Sequence, residues 1–388
     1  MKRKSTLFLI VISSAFLLFG CGKSNVAANI VIASDDPADT TADAPATVTD
    51  ENTTVVDADV PPEEGMVRSK LTNQWITQEL ADTRPIAVMY PINKVALPQY
   101  GLDNIDIFYE CLEEGKMSRQ MAIINDWQDL DQIGNIRSIR DYFVYWALEW
   151  DSIIVHFGGP ELYVSDILMR DDVDNINGTG SSKMGSDYGA FFRVPAGSTS
   201  EHTAFTSSAY LTTAIGKAGF SLTHRAEYYQ PDHFTFTTEN NPDTLADAPG
   251  VMDATTIDMS GCFPVTKSSL TYNAEDGLYY KYIYGDPQVD AVTGNQLAFA
   301  NVIVQSTYYE QRDSHDYLYF QVHDTTRDGY YFTQGKAIHI TWKKDGSNGI
   351  TSNYTPTKYY DDNGNQIVMN TGKTMIFIIE DGDQPIFN

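Results

Sequence analysis

Three arginines are candidate ligand-binding residues in a sequence that is otherwise acidic. Arg137 and Arg140 lie three residues apart at the predicted start of a helix, and Arg119 precedes them in the same segment. Guanidinium groups beside the free backbone N–H groups of a helix start favour phosphate, carboxylate or another anion. Internal salt bridges to Glu110 or Glu114 are the alternative for the same arginines, and the sequence leaves both interpretations open.

Two glutamates and two histidines would add acid–base chemistry to such a site. Glu110 and Glu114 suit glycoside cleavage if their carboxyl groups face each other at roughly 5 to 9.5 Å across a cleft. His156 closes a predicted apolar strand before a Gly-Gly turn, where polar groups often face a ligand crevice. His202 is a further candidate. A structural, hydrogen-bonded role for a lone histidine is the alternative.

Short apolar strands and three helices must position these residues. The pattern predicts buried strands over 86–90, 105–112, 121–124 and 153–156, and helices over 138–150, 160–168 and 207–218. Gly219 ends the last helix. Residues 67–230 therefore predict a mixed α/β N-terminal domain.

The C-terminal part predicts a different kind of structure. Residues 231–268 have few periodic features and predict a connector. From residue 269 to 388, aromatic and polar residues alternate between Asp-Gly and Asn-Gly pairs, which are typical of hairpin turns. We expect this domain to be mostly β, so that the whole chain has an α+β fold.

The sequence predicts neither a metal site nor a cofactor. Asp171, Asp172 and Asp174 lack the glycine placement and closing glutamate of an EF-hand, so residues 171–186 predict a surface loop. The signatures of common hydrolases and dinucleotide-binding oxidoreductases are absent. The formal charge of −26, from 26 basic and 52 acidic side chains, argues against nucleic acid as a partner.

The N-terminus resembles a bacterial lipoprotein signal. Lys2, Arg3 and Lys4 precede an apolar run that ends in Leu18-Phe19-Gly20-Cys21. This resemblance implies that residues 1–20 are removed and that Cys21 carries fatty acyl chains, palmitate among them, that anchor the protein on the extracytoplasmic face of the cell membrane. A plain signal peptide or an uncleaved anchor helix is the alternative. Cys111 and Cys262 would remain, and their pairing is left open.

A tether follows the lipidated cysteine. Residues 25–66 contain ten acidic residues, no Lys or Arg, and four prolines. Such a composition buries too little apolar surface to fold, so we predict that residues 21–66 are a disordered acidic tether.

Several ordered motifs resemble the YerB-like lipoprotein family, whose two-part domain has no known function. In the first part these are Arg84-Pro-Ile-Ala-Val-Met, Tyr109-Glu110, Glu114-Gly115, Arg119, the segment 134–140, and His156 with Gly158-Gly159; in the second they are Asn301-Val-Ile-Val, Thr341-Trp342 and Gly372-Lys373-Thr374. The resemblance implies an anchored protein with an α+β first domain and a β-rich second one.

These observations lead us to expect a binding or accessory protein of the cell envelope. Its ligand would be an anionic or glycan component of the cell wall, held by Glu110, Glu114, Arg119, Arg137, Arg140 and His156. One alternative is a cell-wall hydrolase or transferase that uses Glu114 and His156. A second alternative is a protein-interaction scaffold in which these charges form a structural ion network.

Overall fold

The computed structural model describes residues 60–194, 200–238, 241–346 and 349–388, and these contain four short α-helices. The helices are α1 (Gln78–Asp82), α2 (Asp141–Leu148), α3 (Glu161–Leu168) and α4 (Ser208–Ala218). The Ser207 hydroxyl accepts a hydrogen bond from the Tyr210 N–H at the start of α4, and Gly219 ends it with a left-handed φ of 76°. These caps confirm the helix predicted over 207–218.

The helix predicted over 138–150 is shorter in the structure. Arg140 occupies the N-cap position of α2. Ser138 lies outside the helix because its hydroxyl donates to the Phe157 carbonyl oxygen at 3.2 Å. The two arginines therefore precede the helix rather than lie on its first turn.

The strands are short except in the centre of the molecule. In chain order the first are β1 (Met66–Arg68), β2 (Trp75–Thr77), β3 (Ile86–Tyr90), β4 (Ile107–Leu112), β5 (Ser118–Ile124), β6 (Ile133–Gly134), β7 (Ile153–His156), β8 (Asn175–Asn177), β9 (Phe192–Arg193) and β10 (Ala204–Thr206). The remaining strands are β11 (Thr235–Phe236), β12 (Met252–Asp253), β13 (Thr256–Asp258), β14 (Ser269–Asn273), β15 (Leu278–Ile283), β16 (Asp286–Pro287), β17 (Ala298–Phe299), β18 (Asn301–Thr307), β19 (Tyr309–Gln311), β20 (Leu318–Phe320), β21 (Asp324–Thr333), β22 (Lys336–Lys344), β23 (Lys358–Tyr360), β24 (Val368–Met369), β25 (Thr374–Glu380) and β26 (Ile386–Phe387).

One sheet of eleven strands contains residues from both predicted domains. Its order is β12-β22-β21-β18-β25-β4-β5-β3-β7-β8, with β23 paired to β22. The two sequence regions join where β25 pairs with β4 in parallel, which places Phe377 beside Glu110. The fold is α+β, as the sequence predicted.

Different layers cover the two faces of this sheet. Successive side chains of β4 point to opposite faces, so their contacts identify the layer on each face. On one face Tyr109 stacks on Trp146 of α2, with ring centroids 5.9 Å apart. On the other face Phe108 stacks on Phe299 of β17 at 6.3 Å. That second layer is a six-stranded sheet of β13 to β17 and β26. The central strands are therefore buried on both sides.

One prediction from the sequence needs correction. The predicted loop over 171–186 contains β8, which pairs with β7 at the edge of the large sheet. It forms a strand because Ile176 is fully buried and the Asn175 amide donates to the Leu168 carbonyl oxygen at 2.7 Å. Residues 231–268, the predicted connector, contain the short strands β11 to β13. No helix in the described ranges is long and apolar enough to span a bilayer.

Candidate functional site

The register of the β4–β5 hairpin separates Glu110 from the arginines. Glu110 lies opposite Gln120, whereas Cys111 lies opposite Arg119. Because neighbouring residues of a strand point to opposite faces, Glu110 faces the six-stranded sheet and Arg119 faces α2. The Glu110 carboxylate is fully buried and accepts from the Lys281 ammonium at 2.8 Å. The structure therefore does not bring Glu110 together with the candidate arginines.

Arg119 and Arg140 converge on two glutamates at the turn of this hairpin. Glu113 accepts from Arg119 Nε at 2.9 Å and Nη2 at 2.6 Å, and it lies 2.9 Å from Arg140 Nη2. Arg140 also holds Glu114 in a two-pronged hydrogen bond, with Nε at 2.7 Å. Burial opposes the charge of Glu113, but the charges of Arg119 and then Arg140 hold its pKa below the usual value. This part of the site is an internal ion network.

Arg137 and His202 lie on the segments that follow and complete a second part of the site. The Arg137 backbone N–H donates to Met89 at the end of β3, which fixes its position. Its Nη1 donates to the Glu201 carbonyl oxygen at 3.1 Å, and its Nη2 lies 3.5 Å from the Glu201 carboxylate. The Asn135 amide donates to the His202 carbonyl oxygen at 3.1 Å. These contacts place Arg137 and His202 on adjoining segments.

Electrostatic interactions show that the two parts are close neighbours. Burial and then the positive charge of Arg119 lower the pKa of Arg137. Burial and then the charges of Arg137 and Arg119 lower the pKa of His202. His202 is therefore neutral near pH 7, beside two guanidinium groups that repel each other.

Three donor-capable nitrogens in this cluster have no hydrogen-bond partner among the described residues. They are Nη1 of Arg119, Nε of Arg137 and Nδ1 of His202. Arg119 is 3% exposed and His202 is 4% exposed, so bulk water does not satisfy these atoms. Buried polar groups are normally hydrogen-bonded, because an unpaired one costs about 1 to 3 kcal/mol. We call Arg119, Arg137 and His202 the arginine site; it fits a ligand that supplies oxygen acceptors.

His156 has separate partners. It is fully buried at the end of β7, and its Nδ1 lies 2.8 Å from the Gly158 carbonyl oxygen. Its Nε2 lies 3.3 Å from Asn175 Oδ1. Burial lowers its pKa in spite of these contacts. This geometry favours the alternative of a structural histidine that holds the Gly-Gly turn.

The predicted carboxylate pair does not face a common cleft in the described residues. Glu110 pairs with Lys281 and Glu114 pairs with Arg140. Among the described residues, no hydrogen bond or ion pair joins either glutamate to His156. A glycosidase requires two carboxyl groups that flank one bond, and this arrangement does not supply them.

Two residues that the sequence did not single out are the charge partners of the predicted site residues. Glu113 neutralises Arg119 and Arg140, and Lys281 neutralises Glu110. The alternation of β4 could have separated Glu110 from Arg119. Nothing in the sequence could have shown that Lys281, so far along the chain, meets Glu110.

The remaining predicted residues fall in two groups. Cys111 and Cys262 are free and buried. Cys21, residues 1–20 and the tether up to residue 59 lie outside the described residues.

The geometry defines an α+β protein in which two sequence regions share one central sheet and an ion network lies at the turn of its middle hairpin. Residues 71–221 match the N-terminal domain, and residues 260–376 the C-terminal domain, of a protein of unknown function called DUF3048. The chain belongs to this YerB-like family.

A sequence relative and a solved structure support this assignment. "Putative lipoprotein YerB" of Bacillus subtilis (strain 168) is 26% identical over 328 residues, which cover 84% of this chain and 89% of the relative. The crystal structure of the YerB protein from Bacillus subtilis superposes with a TM-score of 0.68 at 24% identity. That superposition covers 83% of this chain and 99% of the crystallised one.

Proposed function

We propose that this protein is a lipid-anchored, extracytoplasmic binding protein of the cell envelope that holds an anionic wall component at the arginine site. One observation carries the proposal: nitrogens of Arg119, Arg137 and His202 are buried without a partner in the described residues. The chain has twice as many acidic as basic side chains, yet Arg119, Arg137 and Arg140 lie within one segment of 22 residues. Oxygen atoms of a ligand would complete their hydrogen bonds.

The lipid anchor supports a location at the membrane surface. A relative with the word lipoprotein in its name covers most of this chain, and Leu18-Phe19-Gly20-Cys21 has the pattern of a lipidation site. Several acyl chains on Cys21 would give lasting attachment, because each buried methylene adds about 0.8 kcal/mol. The acidic tether would then carry the folded part away from the anionic lipid surface.

The ion network also favours a second candidate, a protein-interaction scaffold. Arg140 lies within 2.9 Å of Glu113 and also binds Glu114, so its charge is satisfied inside the protein. Burial opposes the charge of Arg140, yet the hydrogen bonds to Glu114 raise its pKa. In this reading Arg140 holds α2 against the hairpin turn, and function lies in contacts elsewhere on the surface.

The experiment that tests the proposal uses residues 22–388, the mature chain without its lipidated cysteine. This protein is mixed with purified cell-wall fragments, and both the retained protein and the released products are measured. We expect retention without products, and we expect Arg137→Gln to abolish retention. Arg327→Gln is the matched control, because Arg327 pairs with Asp324 and Asp381 outside this cluster. Release of products that Glu114→Gln abolishes would instead support the hydrolase alternative.

A further inference from the structure

The charges around the arginine site leave one guanidinium without a buried counterion. Glu113 and Glu114 are both within salt-bridge distance of Arg140, and Glu113 also binds Arg119. Arg137 has a single acidic contact among the described residues, the Glu201 carboxylate at 3.5 Å. Three guanidinium groups therefore face two carboxylates, the buried one of Glu113 and the partly buried one of Glu114.

Glu201 is a poor counterion for Arg137. Its side chain is 66% exposed, whereas that of Arg137 is 23% exposed. At 3.5 Å the two groups lie beyond the usual length of a charge-assisted hydrogen bond, about 2.7 to 2.9 Å. Ion pairs this exposed contribute only about 0.2 to 1 kcal/mol. An incoming anion therefore displaces the Glu201 carboxylate at little cost.

His202 adds a donor without adding a charge. Its pKa is lowered by burial and by the neighbouring arginines, so the ring is neutral near pH 7. A neutral imidazole carries one N–H, which serves as a donor if the proton is on Nδ1. The site then offers three donors and one uncompensated positive charge, which match two terminal oxygens that share one negative charge.

We infer that the arginine site takes a singly charged oxyanion, a phosphodiester or a carboxylate, and that the Glu201 carboxylate is a built-in competitor that this ligand displaces. This inference rests on the proposed function and names its ligand class. The Arg137 guanidinium exchanges one carboxylate for the two terminal oxygens of the ligand. A doubly charged phosphate monoester would leave one negative charge uncompensated beside Glu113 and Glu114.

The test measures affinities of three small probes for residues 22–388 by NMR titration. The probes are dimethyl phosphate, which is a monoanionic diester, acetate, which is a carboxylate, and methyl phosphate, which is largely a dianion. We expect one or both monoanions to bind more tightly than methyl phosphate. The ratio of the affinities for dimethyl phosphate and acetate then identifies the phosphodiester or the carboxylate as the natural group. We expect Glu201→Gln to tighten binding about two- to fivefold.

Two variants complete the test. Glu161→Gln is the matched control for Glu201→Gln, because Glu161 is also exposed but pairs with Lys183, and we expect it to leave affinity unchanged. Arg137→Gln should abolish binding. Arg137→Lys keeps the charge but lacks the Nε donor, so it should weaken binding, and it replaces the glutamine variant in the test if that variant fails to fold.

The outcomes separate the two proposals. Suppose that the unmodified chain binds a probe, that Arg137→Gln does not, and that Glu201→Gln binds it with unchanged affinity. The competitor role of Glu201 is then overturned, and the proposed function stands. Tighter binding of methyl phosphate than of both monoanions overturns the single-charge assignment alone. If neither the unmodified chain nor Glu201→Gln binds any probe, the proposed function fails together with this inference.

Discussion

Lys281 of β15 and Glu110 of β4 form an ion pair at 2.8 Å in which both side chains are fully buried. Ser118 and Ser268 each donate to the same carboxylate at 2.7 Å, and Gln120 donates at 3.0 Å. Burial would raise the pKa of Glu110, but Lys281 and these hydrogen bonds lower it. The pair links the large sheet to the six-stranded sheet, so it stabilises the contact between two layers.

Removing one partner of this pair should destabilise the protein strongly. In Lys281→Met the Glu110 charge remains buried without a counterion, which costs about 3 to 5 kcal/mol of unfolding free energy. Adding Glu110→Gln removes that charge and keeps an oxygen acceptor for Ser118 and Ser268. We expect the double variant to lose less than the sum of the single variants, as measured by denaturant unfolding of residues 22–388.

An exposed ion pair provides the control for this prediction. Lys336 pairs with Asp253 across the β12–β22 edge, where the Lys336 side chain is 42% exposed and that of Asp253 is 77% exposed. Lys336→Met should change the unfolding free energy by less than about 1 kcal/mol. If Lys281→Met costs no more than Lys336→Met, the buried pair does not stabilise the layer contact.

The sequence predicted those parts of the fold that depend on neighbours in the chain. The strands over 86–90 and 153–156 are β3 and β7, because continuous apolar runs of this length are buried in the middle of a sheet. The helix over 207–218 follows from its serine and glycine caps. The parallel pairing of β25 with β4 joins residues far apart in sequence, and local patterns carry no information about it.

The candidate site was predictable to a similar extent. The segment that holds Arg119, Arg137 and Arg140 stood out by charge alone. Which of these charged residues meet depends on the face of the sheet to which each side chain points. Glu110 therefore pairs with Lys281, whereas Glu113 pairs with Arg119 and Arg140. His156 looked like a ligand-facing residue because its strand ends there, but Asn175 of β8 covers its Nε2 atom.

Stability should fall as the pH falls through the range where unfolded histidine takes up a proton. Burial and then the charge of Lys344 lower the pKa of His323 from 6.5 to about 4. Between these values the unfolded chain binds a proton at this position and the folded chain does not, so acid favours unfolding. The stabilisation is therefore complete above about pH 6.5 and is lost as the pH approaches about 4.

The variant His323→Gln tests this sign. It should lower the slope of unfolding free energy against pH by up to about 1.4 kcal/mol per pH unit inside that window, as measured by denaturant unfolding. The pKa values of His156 and His233 are also lowered by burial, and both residues are present in the two proteins, so the difference isolates His323. Parallel curves for the two proteins would contradict the assignment.

Both core cysteines should behave as unreactive free thiols. Cys111 and Cys262 are buried and unpaired. Burial raises the pKa of Cys262 to about 12 and also raises that of Cys111, so little thiolate exists near pH 7. Residues 22–388 purified without reductant should react slowly with a thiol reagent when folded, and should show two reactive thiols when unfolded. Loss of both thiols from the unfolded, unreduced protein would reveal a disulfide instead.

We expect Cys21, which lies outside the described residues, to carry the lipid anchor. Cells that express the full chain and are fed a palmitate analogue should label it, and the labelled chain should sediment with membranes. Cys21→Ser should abolish the label, since no other cysteine follows a Leu-Phe-Gly sequence. Cys111→Ser is the matched control and should keep the label, because Cys111 is buried in β4. Label that persists in Cys21→Ser would show that acylation occurs elsewhere, and the tether would then have no anchor at its start.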